Sequence, residues 1–196
     1  MIILIICSIL WVLFYGSYFL KMRAQKKRGI LADRLGWGAK DASTRKLEKW
    51  LRTVTYLTGL IQLLSILLSH YFPLLITAFP IRVMGCVIGL LGTGLLVLSM
   101  GTMGDSWRAG VDMVQDCSLI TTGIYRYSRN PAFLGFDLFY LGFALALCSV
   151  ELCAISAISI VLFHFQILHE ERYLPTLFGS EYEEYRRKTP RYFWKL

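Results

Sequence analysis

The chain has 196 residues, 56% of them hydrophobic and only 17% charged, with a formal net charge of +8. Soluble domains carry about 25% charged residues, and the long apolar runs here lack the polar faces of a soluble helical bundle. Five cysteines (Cys7, Cys86, Cys117, Cys148 and Cys153) show neither a CxxC pair nor a Cys/His spacing for zinc, which leaves apolar packing as their plain role.

Residues 1–20 predict a first membrane span. No positive region precedes it and no small-residue cleavage site follows, so a retained helix is favoured over a signal peptide. A basic stretch follows, and its end, KDASTRKLEKW (40–50), fits either an amphipathic helix along the interface or a solvated linker. The second span runs from about Trp50 to His70, and Pro73 and Pro80 bracket a short apolar turn. The third span, 81–103, carries Gly85, Gly89, Gly92 and Gly94. The Gly85–Gly89 spacing fits close helix packing and helix flexibility equally. A polar loop over 104–131 leads to a fourth span, about 132–149. After a turn at Glu151 a fifth span continues to about 168, and a charged tail, 169–196, ends the chain.

Residues 21–52 hold 11 of the 21 basic residues, 104–131 and 169–196 hold nine more, and only Arg82 falls elsewhere. With five spans these three basic segments share one side, which the positive-inside rule assigns to the cytosol. The expected fold is therefore an all-α, polytopic transmembrane helical bundle, a single membrane domain over 1–196, with the N-terminus out and the C-terminus cytosolic. The membrane would be the inner or plasma membrane in a prokaryote and the endoplasmic reticulum in a eukaryote. The positive charge serves topology and anionic headgroups. No basic face separable from the membrane anchor is left for nucleic acid.

The fourth and fifth spans form a hairpin, so GIYRYSRNPAFLG (123–135) faces the helix end FHFQILHEERYL (163–174). Gln166 and Glu170 share a helix face with Phe163, while His164, Leu168 and Glu171 share another. Glu170 and Glu171 point roughly 100° apart. One can face a cavity while the other meets Arg126, Arg129 or Arg172. Boundary carboxylates of this kind mark either a functional site or an interfacial salt-bridge cluster. In the loop, Gly123 permits a turn, Pro131 suits a first helical position and Asn130 can cap the helix. The free N–H groups there suit an anion, and Tyr125, Tyr127 and Phe133 offer aromatic faces to a cation. A zwitterion with an extra cation, such as S-adenosylmethionine, fits that set.

GIYRYSRNPAFLG resembles the G-[hydrophobic]-Y-x-x-x-R-[H/N]-P-x-[Y/F] motif of the isoprenylcysteine carboxyl methyltransferase family, which is similar to the phospholipid methyltransferases. The tail EERYLPTLFGSEYEEYRRKTPRY resembles the ending of the same family, and GDSW (104–107) stands where relatives carry a Gly/Trp segment. The likeness covers about 100–196, with only hydropathy in common before that. It implies a methyltransferase-like region over 101–196, preceded by N-terminal spans and a basic loop over 1–100. It further implies S-adenosylmethionine-dependent methyl transfer, without a Rossmann domain, to a lipophilic acceptor at the cytosolic membrane face, and no metal. The cofactor positions of the family fall on Cys117, Ser118, Leu119 and Ile120, on Tyr125, on Asn130, Pro131, Ala132 and Phe133, and on Glu170. Prenylcysteine-methylating members carry an arginine four residues before that glutamate to hold the substrate carboxylate. Gln166 stands there instead, and an amide cannot pair a carboxylate as a guanidinium does. Arg129 and Arg172 are the candidate replacements.

A carboxylate or thiolate acceptor needs no general base, whereas an amine or hydroxyl does. Glu171 and His169 are the candidate bases, with Arg129 beside Glu171. Two competing readings are an NADPH-dependent membrane reductase of the sterol type and a non-catalytic scaffold or transporter subunit. The residues after Pro131 (Ala132, Phe133, Leu134) depart from the Asn-Tyr of such reductases. No inverted repeat or broken helix pair marks a transporter.

Overall fold

The computed structural model describes residues 1–38, 40–75, 77–110 and 118–193. Among these residues five α-helices make up the fold: α1 (Ile2–Lys27), α2 (Ala42–Leu67), α3 (Phe79–Met103), α4 (Pro131–Leu147) and α5 (Val150–Lys188). Two 3-10 turns, Gly104–Ser106 and Gly123–Arg126, lie between α3 and α4. Four of the helices are long and apolar enough to cross a membrane, and the chain is a multi-pass membrane protein. The fourth of the five expected spans falls short. α4 has 17 residues, about 25 Å at the helical rise, against roughly 30 Å of hydrocarbon.

The bundle is greasy outside, and within it polar side chains are buried among an apolar core. Ile5, Ile9, Val12 and Leu13 of α1 and Val87, Leu90, Leu91 and Leu98 of α3 are exposed, while Thr58, Gln62, Thr93, Ser156 and Ser159 are buried. In hydrocarbon a Leu gains nothing by moving inward, so packing and interhelical hydrogen bonds hold the helices together. The Oγ atoms of Thr58 and Ser159 lie 2.8 Å apart and join α2 to α5. Trp11 Nε1 donates to Gly59 O at 3.1 Å and Tyr15 OH to Gln62 Oε1 at 2.9 Å, joining α1 to α2. Phe14 stacks on Phe139 with centroids 3.7 Å apart and ties α1 to α4.

The closest helix pair is α3 with α4. A Cβ on Gly85 would lie 2.7 Å from Gly142 O, and one on Gly92 would lie 2.5 Å from Phe139 N and 2.7 Å from Gly135 O. Two glycines seven residues apart on each helix thus let the backbones touch. Close packing is the outcome of the glycine-rich sequence, and Gly89 shares in it through its backbone, its N lying against the place where a Cβ on Gly142 would stand. A Cβ on Gly89 would meet only Leu10 Cδ1, at 3.6 Å.

The two ends of the bundle differ. At one end Leu75 N donates to Cys148 O at 2.7 Å and Arg82 Nε to Ala146 O at 2.8 Å, so the one basic residue there answers the carbonyl end of α4. The opposite end gathers the basic segments. The 28–41 loop pairs with the 107–110 loop through Arg34 N to Ala109 O and Ala109 N to Ala32 O, both 2.8 Å. Residues 42–50 are neither an interfacial helix nor a linker but the first turns of α2. Asp41 caps them by accepting from Thr44 N at 2.9 Å. The hydroxyls of Ser43 and Thr44, then the Thr44 N–H, hold the Asp41 carboxyl well below the usual range.

The fifth helix does not stop near 168. It continues past Pro175 to a break at Gly179 (φ 53°, ψ −130°) and on to Lys188. Its last turns fold back over the 123–130 loop, where Tyr185 OH donates to Tyr125 O at 2.6 Å and Arg129 N to Pro190 O at 3.0 Å.

The α3–α4 contact predicts the effect of adding one methyl group. Gly92→Ala forces two backbones apart and is expected to cost about 1–3 kcal/mol, seen as a lower melting midpoint in detergent. Gly94→Ala, where a Cβ meets nothing within 4 Å, is expected to leave the midpoint unchanged or slightly raised.

Candidate functional site

At the basic end the helices enclose a cavity of about 400 Å³. The polar part of its wall includes Tyr125, Arg129 and Asn130 on the 123–130 loop, Gln166 and Glu170 on α5, and Asp33, Arg52 and Arg108 nearer α2 and the 107–110 loop. The aromatic part comes from Trp11, Tyr15 and Tyr18 of α1 and from Phe133 and Phe136 of α4. Phe19, Tyr56 and Leu60 also line it and are 61%, 64% and 51% exposed. The cavity therefore opens sideways between α1 and α2, on the lipid-facing surface.

The loop that begins the GIYRYSRNPAFLG motif is shaped by local chemistry. Gly123 has φ +59°, and a Cβ there would lie 2.8 Å from Thr102 Cγ2, so the turn into Tyr125 needs a glycine. Burial, then Tyr185 and Glu170, push the Tyr125 phenol upward, which leaves it a neutral hydrogen-bonding group. The expected cap at Asn130 does not form. Its side chain makes no cap bond, and its Nδ2 donates to Glu171 Oε1 at 3.1 Å and Arg191 O at 3.2 Å. Ser128 Oγ instead accepts from Asn130 N at 3.1 Å.

The adjacent carboxylates take opposite roles. Glu171 is held in a clamp. Its Oε1 accepts from Arg129 Nε at 3.2 Å and Nη2 at 2.9 Å, and its Oε2 from Arg191 Nε at 3.0 Å and Nη2 at 2.8 Å. A carboxylate engaged by two guanidiniums and turned from the cavity is a poor base, which places Glu171, a candidate base in the sequence, away from the cavity wall. His169 is also turned away. Its Nδ1 lies 2.7 Å from Thr44 Oγ1, beside Asp41, whose carboxylate accepts from Tyr173 OH. Arg129 reaches the cavity wall, yet its Nη1 is spent on Thr189 O at 2.6 Å and Arg186 O at 3.3 Å. Arg172 does not line the cavity.

Glu170 faces the cavity, and Gln166 supports it. Gln166 Nε2 donates to Glu170 Oε1 at 3.0 Å and to Glu48 Oε1 at 3.2 Å, so one neutral amide bridges two carboxylates. Glu48 is fully buried and takes Lys40 Nζ at 2.6 Å and Gly36 N at 2.7 Å on its Oε2. Lys40 and Glu48 escaped sequence reasoning because they lie in the first 100 residues, where no motif marks them. The lone acid on the inner face of α2 was the available signal. Arg191 escaped it as well, although it sits inside the TPRY of the tail motif.

Of the residues expected around a cofactor, Ser118, Leu119, Ile120, Tyr125, Asn130, Ala132, Phe133 and Glu170 line the cavity, together with Gln166. Pro131 does not, being the buried first residue of α4. Cys117 lies outside the described residues. Five buried polar atoms on cavity-lining residues, Arg52 Nε, Trp107 Nε1, Tyr140 OH, Gln166 Oε1 and Tyr182 OH, have no partner among the described residues. Of these, Gln166 Oε1 leaves an acceptor and Trp107 Nε1 a donor for a ligand.

Comparison with known proteins bears on what such a cavity holds. Residues 80–181 match the family model described as phospholipid methyltransferase. The protein-S-isoprenylcysteine O-methyltransferase of Saccharomyces cerevisiae is 33% identical over 116 residues, covering 54% of this chain and 46% of that protein. The enzyme of the same name from Schizosaccharomyces pombe is 39% identical over 77 residues, covering 39% of this chain and 33% of the other. The chain thus spans less than half the length of these two relatives. The solved structure of a eukaryotic intramembrane Ras methyltransferase, isoprenylcysteine carboxyl methyltransferase, superposes with a TM-score of 0.56 at 20% identity, covering 92% of this chain and 66% of that one. That likeness carries the helical membrane fold. The family model spans α3, α4 and most of α5, the helices that bring Tyr125, Gln166 and Glu170 together, and on that match the chain belongs to the phospholipid methyltransferase family and is a relative of the isoprenylcysteine O-methyltransferases.

Proposed function

We propose that this chain transfers a methyl group from S-adenosylmethionine to a lipophilic acceptor, in the manner of a prenylcysteine carboxyl methyltransferase, at the cytosolic face of the membrane. The observation that carries this reading is the shape of one cavity, polar at Gln166 and Glu170 and open to lipid between α1 and α2. Family membership favours it over reduction or a scaffold role. The positions of the basic segments support placing the N-terminus outside and the C-terminus in the cytosol. The chain works as one membrane domain, in which 101–196 forms the methyltransferase-like region and 1–100 supplies much of the acceptor wall.

The residues at the polar end fit the proposed donor. Glu170 offers a carboxylate to hydroxyls or an ammonium, Gln166 Oε1 offers an unused acceptor and Trp107 Nε1 an unused donor. Ser118, Leu119, Ile120, Tyr125, Asn130, Ala132 and Phe133 complete the wall around it. S-adenosylmethionine, held by Glu170, Gln166 and Trp107, would supply an electrophilic methyl carbon on a sulfonium, with the thioether as leaving group. Gln166 holds Glu170 in place, Tyr125 stays neutral beside it, and the aromatic wall excludes water from the reacting atoms. An acceptor carboxylate needs no base, which agrees with Glu171 and His169 being engaged elsewhere.

Two variants separate the adjacent carboxylates. Glu170→Gln is expected to weaken S-adenosylmethionine binding about 10-fold or more in detergent calorimetry while the melting midpoint barely moves. Glu151→Gln, at the far end of α5, is the control. Unchanged affinity in Glu170→Gln would count against this site. Glu171→Gln leaves two guanidiniums without their carboxylate and is expected to cost about 3 kcal/mol of stability, measured by thermal unfolding.

A further inference from the structure

With an amide at position 166, an acceptor carboxylate needs another cation on the cavity wall. Among the described residues three arginines line the cavity: Arg52, Arg108 and Arg129. Arg129 is consumed by Glu171, Thr189 O and Arg186 O. Arg108 turns its Nη1 to Asp105 O at 2.6 Å and Trp107 O at 2.8 Å, and it holds a further partner.

Arg52 is different. Its Nη2 donates to Asp33 Oδ1 at 2.7 Å, in a pair whose side chains are 29% and 45% exposed. Its Nε is buried and has no acceptor. A guanidinium has five donors in a rigid fork matched to carboxylates and phosphates, so much of this fork is unspent. Asp33 is a replaceable partner, half-exposed on a loop and otherwise accepting only a 3.3 Å contact from Leu35 N.

Its place along the cavity matters as much. Arg52, Thr55, Tyr56, Gly59 and Leu60 form one stripe of α2 on the cavity wall. From Arg52 to Leu60 that stripe runs about 12 Å, ending on the exposed, lipid-facing surface. An amphiphile lying along it would set its anionic head at Arg52 and its tail over Tyr56 and Leu60.

Resting on the methyltransferase reading, we infer that Arg52 holds the anionic head of the acceptor, and that the acceptor class is an amphiphile bearing a carboxylate or phosphate. The Arg52–Asp33 pair is then a specificity device. Asp33 occupies the guanidinium in the free protein and yields to an anion, while a neutral head has nothing to gain by displacing it.

Direct binding tests this in purified full-length protein, with 3-(dodecylthio)propanoate, its carboxamide and dodecyl phosphate as probes. Arg52→Gln is expected to weaken the carboxylate about 10-fold or more and leave the carboxamide unchanged. Asp33→Asn is expected to tighten the carboxylate and again spare the carboxamide. Parallel loss of dodecyl phosphate in Arg52→Gln identifies any anionic head as the ligand, whereas binding of the carboxylate alone narrows the class to carboxylates. Equal loss of carboxylate and carboxamide, or no loss of either, overturns the assignment. So does an unchanged carboxylate affinity in Asp33→Asn, a result that stands even where Arg52→Gln fails to fold. S-adenosylmethionine affinity, measured separately, is expected to stay unchanged in both variants. A wild-type chain that binds the carboxylate through Arg52 but not S-adenosylmethionine would sink the methyltransferase reading alone.

Discussion

Five hydrogen bonds converge on the Glu171 carboxylate, from Arg129, Asn130 and Arg191. Through them α5, the loop before α4 and the returning tail become one unit. The clamp also orients its neighbour. With Glu171 fixed toward the two arginines, the helical twist of roughly 100° per residue turns Glu170 toward the cavity. Charge that would be costly to bury alone is tolerated here because each oxygen is matched by a guanidinium edge.

A second constraint comes from the membrane. Among hydrocarbon chains, apolar side chains have no reason to turn inward, so polar groups and glycines carry the specificity of helix packing. Gly85 and Gly92 of α3 meet Gly135 and Gly142 of α4 backbone to backbone. This close contact seats α4 firmly although it is too short to span by itself, and α4 in turn carries Phe133 and Phe136 to the cavity. Polar groups are also buried among the apolar core, and Gln166 is the clearest case. One amide couples α2 to α5 by bridging Glu48 and Glu170.

Much of the architecture was legible in the chain itself. Apolar runs and the distribution of lysine and arginine located five helices and grouped three basic segments, because bilayer thickness and headgroup charge act on composition directly. Tyr125, Asn130, Gln166 and Glu170 were also legible, since local motifs place them near helix ends that a hairpin must bring together. Less legible were the roles of Asn130, whose side chain serves Glu171 instead of a cap, and of His169, drawn to Thr44 in α2. Both depend on partners distant in sequence, which no local pattern encodes.

Sequence alone therefore determined a multi-pass helical chain, its family likeness, and a paired carboxylate facing a polar loop. Tertiary structure decided which carboxylate looks into the cavity, because spacing sets the angle between two helical side chains but not which neighbour each one meets. It also brought Lys40, Glu48 and Arg52 to the site from a region without motifs. Those assignments rest on contacts such as Gln166 with Glu48, 118 residues apart, and only the packing of α2 against α5 creates them.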